Sequence, residues 1–141
     1  EKHGKNLHEI IKEKAADDRK VFYIFGGVEA DEREAIRGIV EKEKDAIIVA
    51  SYGTFSTGVN IKNLHNIIFA SPSKSRVRNL QSIGRGLRLG DNKVDATLYD
   101  IADDMTWKSK ENFTLKHFQE RINIYTEEEF DYEMHSIDLK D

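Results

Sequence analysis

Four short apolar runs, set among segments with helical spacing, constrain the fold of this chain most. They occupy residues 21–25, 46–50, 67–70 and 96–101 and are rich in β-branched and aromatic side chains. The first three are nearly continuous rather than alternating, which is typical of parallel strands buried on both faces. The sequence therefore predicts an α/β domain built on a mostly parallel sheet.

Helical patterns lie before the first run and after it. Leu7, Ile10 and Ile11 form an apolar stripe, and Asp31 with Glu34 has the spacing of a capping box that would begin the next helix. The alternation predicts a three-layer α/β/α domain. Because the chain opens on a helix, we expect the first strand of the domain to be missing from it.

Residues 105–141 have a different character and predict a small extension of a domain at 1–104. Leu115, Phe118, Ile122 and Tyr125 are spaced as one face of a helix, and residues 130–137 nearly alternate, which favours a strand. We expect this helix/strand extension to pack on the domain. Two roles stay open for it: structural packing, or a surface that faces DNA or a partner.

The charge is unevenly distributed. The 141 residues carry a net charge of -4, which argues against a generally adhesive nucleic-acid binder, but residues 74–88 hold five basic side chains and no acidic one. There are no cysteines, which excludes disulfides and cysteine-ligated zinc and suits a cytoplasmic protein. The five histidines lack ligand spacing, so we expect no metal site, and no apolar run has membrane-spanning length.

The run at residues 81–88 places a glutamine and two arginines where they suit a nucleotide phosphate. Arg85 and Arg88 are three apart, so on a helix they share one face, and their guanidinium groups bind phosphate oxygens in pairs. A basic helix end that stops at glycine is the alternative. A dinucleotide fingerprint is excluded, because these glycines close a helical pattern rather than follow a strand. The chain contains no Gly-x-x-x-x-Gly-Lys-Ser/Thr loop to hold the phosphate.

Residues 51–60 follow the second run and are rich in glycine and hydroxyl side chains. Such residues let a backbone approach phosphates closely. A plain strand-to-helix turn with Ser and Thr caps would have the same composition. The order of the parts decides between these interpretations.

In this order, the segments resemble the second RecA-like domain of superfamily 2 helicases. Residues 51–60 resemble motif V of that family, and residues 81–88 resemble its motif VI, Gln-x-x-Gly-Arg-x-x-Arg. The resemblance covers roughly residues 1–101, and the stretch from residue 99 onward is similar to phage recombination helicases. A RecA-like fold is what the resemblance implies.

The resemblance also implies roles for individual residues. Arg85 and Arg88 would be arginine fingers that reach the γ-phosphate of ATP across a domain cleft, and Gln81 would bond the nucleotide or its attacking water. Gly58 would allow a tight turn at the nucleotide, which Asn60 and Gly84 would also contact. Asn60 stands where the family often has aspartate.

The nucleic-acid contacts that the resemblance implies are Ser51, Thr54, Gly27 and Arg76. The family usually has a threonine before the motif V glycine, and here Ser51 and Thr54 both compete for that place. We expect a contact with the DNA backbone at Thr54, with Gly27 as a second candidate.

The implied function is that of a C-terminal motor domain in an ATP-dependent DNA helicase. ATP and Mg²⁺ would be held mainly by an N-terminal RecA-like domain of the same protein, so this chain alone would be inactive. The expected substrates are branched or single-stranded DNA, including forks, Holliday junctions and R-loops, in recombination, repair and replication. The alternative is a non-catalytic module of RecA-like fold that binds nucleic acid or protein.

Overall fold

The computed structural model describes residues 2–51, 53–54, 64–70 and 97–139. Each of the four apolar runs forms a strand there, as predicted. The elements are, in order, α1 (Lys2–Lys14), β1 (Val21–Ile24), α2 (Ala30–Val40), β2 (Ile47–Ala50), β3 (Asn66–Phe69), β4 (Thr97–Asp100) and α3 (Phe113–Glu127). None of these helices has the length and apolarity to cross a bilayer. The described residues divide between two compact units whose boundary passes through β3 and β4, while the predicted domain boundary after residue 104 stays a prediction.

In the first unit, β1 and β2 form a parallel pair with a helix on each face. The pair runs in register from Val21 beside Ile47 to Ile24 beside Ala50. Ile24 is buried with Ile36 and Val40 of α2 on one face. Successive side chains of a strand point to opposite faces, so Tyr23 lies on the other face. There α1 packs on both strands, and the ring of His8 stacks on that of Tyr23. This layering confirms the α/β class and accords with a three-layer domain.

Strand β3, which pairs with β4, departs from the predicted burial on both faces. Hydrogen bonds from Thr97 N–H to His65 O and from Ile101 N–H to Phe69 O join partners whose numbers rise together, as in a parallel pair. Burial alternates along β3, where Phe69 is buried and Ile68 is 61% exposed. The expectation of burial on both faces was wrong for β3. One face of the pair carries the buried contacts, and the other lies open at Ile68.

The start of α2 differs from the predicted capping box. The N-cap is Glu29, two residues earlier than Asp31, and its side chain makes no capping bond. The carboxylate of Glu34 instead accepts two hydrogen bonds from Nε of Arg37, at 3.0 and 2.9 Å, one turn along the helix. These bonds are the main reason that the pKa of Glu34 lies below its ordinary value. The capping box was a wrong prediction because the helix begins at Ala30, which puts Asp31 inside its first turn rather than at the N-cap.

The end of α3 explains why the predicted strand at 130–137 does not form. Glu129 adopts a left-handed conformation with φ of 56°. Phe130 N–H then donates to Tyr125 O at 2.9 Å and Glu129 N–H to Thr126 O at 3.1 Å, which is a Schellman motif. The ring of Phe130 meets that of Tyr125 edge-on, 6.4 Å away. Residues 130–139 contain no strand. The alternating stretch pairs with no strand among the described residues, and Phe130 at its start packs back on the helix.

Candidate nucleic-acid interface

The loops that follow β1 and β2 begin side by side. Ile24 pairs with Ala50 at the carboxyl ends of the two strands, and Ser51 N–H donates to Ile24 O at 2.9 Å. The first unit thereby brings the turn at Gly27 and the loop at Ser51 and Thr54 to one edge of the sheet. In open parallel sheets, ligands bind outside this edge. These are three of the four predicted nucleic-acid contacts.

Ser51 and Thr54 form a hydroxyl pair at the start of the second loop. Their side-chain oxygens lie 2.7 Å apart, and Thr54 N–H donates to Ser51 O at 3.1 Å. Thr54 is only 5% exposed, whereas Ser51 is half-buried. Each hydroxyl has one proton and two lone pairs, so when one donates, the other keeps its proton. The pair therefore retains one hydroxyl proton for a further acceptor, and Ser51 is its more accessible member.

The packing of the turn leaves no room for a side chain at Gly27. A Cβ atom at this position would lie 2.7 Å from Cε2 of Phe25, whereas one at Gly26 would meet nothing within 4 Å. The ring of Phe25 stacks on Tyr23 with centroids 5.1 Å apart, and Tyr23 stacks in turn on His8 at 5.5 Å. The Phe25 ring therefore has little room to give way. Gly27 itself is exposed, and its contact with DNA stays a prediction.

The nucleotide-binding residues predicted from sequence, and one predicted DNA contact, lie outside the described residues. They are Gln81, Arg85 and Arg88 of the run at 81–88, the nucleotide contacts Gly58, Asn60 and Gly84, and the DNA contact Arg76. Their roles stay predictions. Within the part of the chain that the structure describes, no group of His, Asp or Glu side chains is arranged to hold a metal ion.

The second unit contains a buried ionic cluster that the sequence analysis missed. Asp100, the last residue of β4, accepts two hydrogen bonds from the guanidinium of Arg121 on α3. Nε reaches Oδ2 at 2.6 Å and Nη2 reaches Oδ1 at 2.8 Å. The hydroxyl of Tyr125 donates to the same Oδ2 at 2.6 Å. The side chain of Arg121 is 1% exposed and that of Asp100 is 8% exposed. The cluster fastens α3 to the last strand.

A signal for this cluster was present in the sequence. Arg121 lies three residues after Phe118 and four before Tyr125, so a cation sits within the apolar face of a helix. A buried cation requires a partner, and an acid at the end of a strand can supply one. One nitrogen of the guanidinium stays outside this pairing. Nη1 of Arg121 is buried and has no hydrogen-bond partner within the described ranges. The guanidinium carbon lies over the ring of Phe118, 5.6 Å from its centroid.

Comparisons with known proteins identify the same family as the order of the motifs does. The model of the helicase conserved C-terminal domain matches residues 2–90. The chain is 39% identical over 147 residues to the ATP-dependent DNA helicase uvsW of Enterobacteria phage T4, across 97% of this chain and 29% of that protein. It is 29% identical over 101 residues to the putative ATP-dependent helicase IRC3 of Saccharomyces cerevisiae, across 70% of this chain and 14% of that protein.

The chain therefore spans less than a third of the length of either relative. No solved structure gives a significant match. The family match covers well over half of the chain and includes both of the segments in which the sequence analysis found helicase motifs. The resemblance to superfamily 2 helicases, and to a phage helicase among them, is confirmed. The chain belongs to the helicase conserved C-terminal domain family.

Proposed function

We propose that this chain is the C-terminal motor domain of an ATP-dependent DNA helicase. The observation that carries the proposal is the family match over residues 2–90, which contains the motif V-like and motif VI-like segments in the family's order. The phage relative, matched along nearly the whole chain, is named an ATP-dependent DNA helicase, and this supports DNA as the substrate. Recombination and repair on branched DNA, in the cytoplasm of a host cell, is the finer form of the proposal.

In this proposal the chain supplies positive charge to an ATP site that another domain completes. Arg85 and Arg88 would neutralise charge on the transferring phosphoryl group, and Gln81 would orient the attacking water. Phosphoryl transfer depends mainly on positioning and electrostatic stabilisation, so two permanently charged guanidinium groups suit the task. The chain lacks a phosphate-binding lysine loop, so ATP and Mg²⁺ would be held mainly by an N-terminal RecA-like domain.

The same domain would grip DNA at the carboxyl edge of β1 and β2. The hydroxyl pair of Ser51 and Thr54 retains one proton, which suits a phosphate oxygen as its acceptor. Thr54 is buried, so we propose that it positions the hydroxyl of Ser51. Gly27 offers an exposed backbone at the neighbouring turn, and Arg76 would add charge. Such a grip is independent of base sequence and weakens with salt.

The test is hydrolysis by the intact helicase that contains this chain. Arg88→Ala should lower DNA-stimulated ATP turnover by about 10³-fold or more, as loss of an arginine finger does, while DNA binding is largely kept. Arg78→Ala removes the same charge from the same basic segment but outside the motif VI-like run, and should leave turnover nearly unchanged. Unchanged turnover in Arg88→Ala would remove this residue from the site. Robust DNA-stimulated turnover by the 141-residue chain alone would refute its role as half of an ATP site and favour a complete enzyme.

A further inference from the structure

A tight hairpin presents the tryptophan of the second unit to solvent. Trp107 and Lys110 exchange both backbone hydrogen bonds, at 3.1 and 2.9 Å, across the two-residue turn formed by Lys108 and Ser109. Trp107 as a whole is 72% exposed. The ammonium of Lys108 lies 5.8 Å from the centroid of its ring. The tip of the hairpin therefore combines an exposed aromatic ring, over which the Lys108 ammonium lies, with a second lysine at position 110.

The turn is held in a conformation that its residues do not favour. Lys108 and Ser109 both have positive φ, at 47° and 65°, as a type I′ turn requires. Asn and Gly are the residues usually found there, because other side chains are strained in the left-handed region. Strain that persists in a structure is a reason to look for a function at that place. Here the two hydrogen bonds that close the turn fix the backbone of Trp107 and Lys110 despite the strain.

The base of the hairpin is tied by one asparagine. The side-chain amide of Asn112 donates to Asp103 O at 2.8 Å, and its oxygen accepts from Met105 N–H at 3.1 Å. Thr114 adds a hydroxyl bond to the same Asp103 carbonyl at 3.1 Å. The residues before the hairpin are thus bonded to those after it. An exposed indole on a tied loop loses little conformational entropy when it binds.

We propose that the Trp107–Lys110 hairpin is a contact for single-stranded DNA. An unpaired base would stack on the indole of Trp107, and the flanking phosphates would be neutralised by Lys108 and Lys110. Aromatic side chains with adjacent positive charge are the usual means of binding single strands without regard to sequence. The inference rests on the proposed function, because it takes DNA as the ligand, but it places the contact in the second unit rather than at the loops after β1 and β2.

Trp107 is the only tryptophan in the chain, so its fluorescence reports on this contact directly. Titrating the full 141-residue chain with a fluorescein-labelled 15-nucleotide oligo(dT) gives two signals, indole quenching and label anisotropy. Stacking predicts quenching that saturates together with the anisotropy. Trp107→Ala should weaken binding by about 5- to 140-fold, and Trp107→Phe should recover most of that loss.

The lysines are tested by salt dependence. The double variant Lys108→Ala/Lys110→Ala should flatten the slope of log K against log salt by about 1.4, the value for two phosphates on a single strand. Lys12→Ala/Lys14→Ala removes the same charge from the last turn of α1 and should leave the slope unchanged. A far-UV circular dichroism spectrum identical to that of the unaltered chain shows that each variant is folded.

Three results overturn the proposal in different ways. Anisotropy that rises without indole quenching, with equal affinity in Trp107→Ala, places DNA elsewhere on the chain and leaves the helicase proposal intact. No rise in anisotropy at low salt refutes this contact, while the ATP turnover of Arg88→Ala still judges the helicase proposal separately. Quenching by duplex DNA of equal length with equal affinity refutes stacking on an unpaired base.

Discussion

Replacing Asp100 with asparagine tests how strongly the buried cluster holds α3 to β4. The substitution conserves volume, so it opens no cavity, but it removes the charge that faces Arg121. The guanidinium is 1% exposed and keeps at best one good acceptor of the two that now lie 2.6 and 2.8 Å away. Breaking a buried ion pair on one side costs roughly 3–5 kcal/mol. The amide oxygen of asparagine can still accept one hydrogen bond from Arg121. We therefore expect the free energy of unfolding to fall by about 3 kcal/mol, the lower end of that range.

Urea unfolding followed by far-UV circular dichroism measures this loss. With a denaturant slope of roughly 1–3 kcal/mol/M for a small protein, the midpoint should fall by about 1–3 M. Hydrogen exchange gives the location, because the amides of α3 should lose protection before those of α2. Tyr125→Phe removes only the hydroxyl bond to the carboxylate and should cost less. Its further effect in the Asp100→Asn background should be smaller still, since the two changes act on one network.

Asp131→Asn is the matched control, because it makes the same chemical change at an exposed position of the same unit. It should leave both the midpoint and the exchange of α3 unchanged. A midpoint in Asp100→Asn within about 0.3 M of the unaltered chain, with α3 equally protected, would refute the reasoning, since the cluster would then contribute almost nothing.

Three further predictions use neighbouring residues or pH as controls. Gly27→Ala should destabilise the first unit by roughly 1–3 kcal/mol through a clash with the ring two residues earlier, whereas Gly26→Ala, with open space, should be nearly neutral in the same urea assay. Glu129→Gly should raise the thermal midpoint by relieving a left-handed φ, and Glu128→Gly, next to it with φ of -84°, should lower it; equal shifts would contradict the helix end described above. The hydrogen bonds from Arg37 lower the pKa of Glu34 on folding, so its contribution to stability is present above its unfolded pKa and is lost as the pH falls through the lower folded pKa. The difference in urea midpoint between the unaltered chain and Glu34→Gln should therefore shrink towards pH 3, and a difference that stays constant would refute this sign.

Much of the fold was predictable because local patterns encode it. The strands at 21–24, 47–50, 66–69 and 97–100 lie within or beside the predicted runs. Continuous β-branched and aromatic stretches favour extended structure wherever they lie, so no knowledge of neighbours is needed to find them. The order of the motif-bearing segments likewise indicated the family that the domain match confirms.

The errors arose where the outcome depends on a partner. An alternating stretch at 130–137 becomes a strand only if another strand accepts its hydrogen bonds, and here Phe130 folds back onto Tyr125 instead. The spacing of Asp31 and Glu34 satisfies a capping box, but the helix begins earlier, at Ala30, and Glu34 bonds to Arg37 instead. Local spacing cannot tell which of two competing bonds is made.

The sequence by itself determined the α/β class, the places of the strands and the membership of a helicase family. Only the tertiary structure decided that Asp100 forms an ion pair with Arg121, 21 residues away. It also decided that the hydroxyl groups of Ser51 and Thr54 are hydrogen-bonded to each other. It alone also placed the indole of Trp107 in solvent on a strained turn. The physical reason is that periodicity is read within one element, whereas burial and pairing depend on which faces of different elements meet.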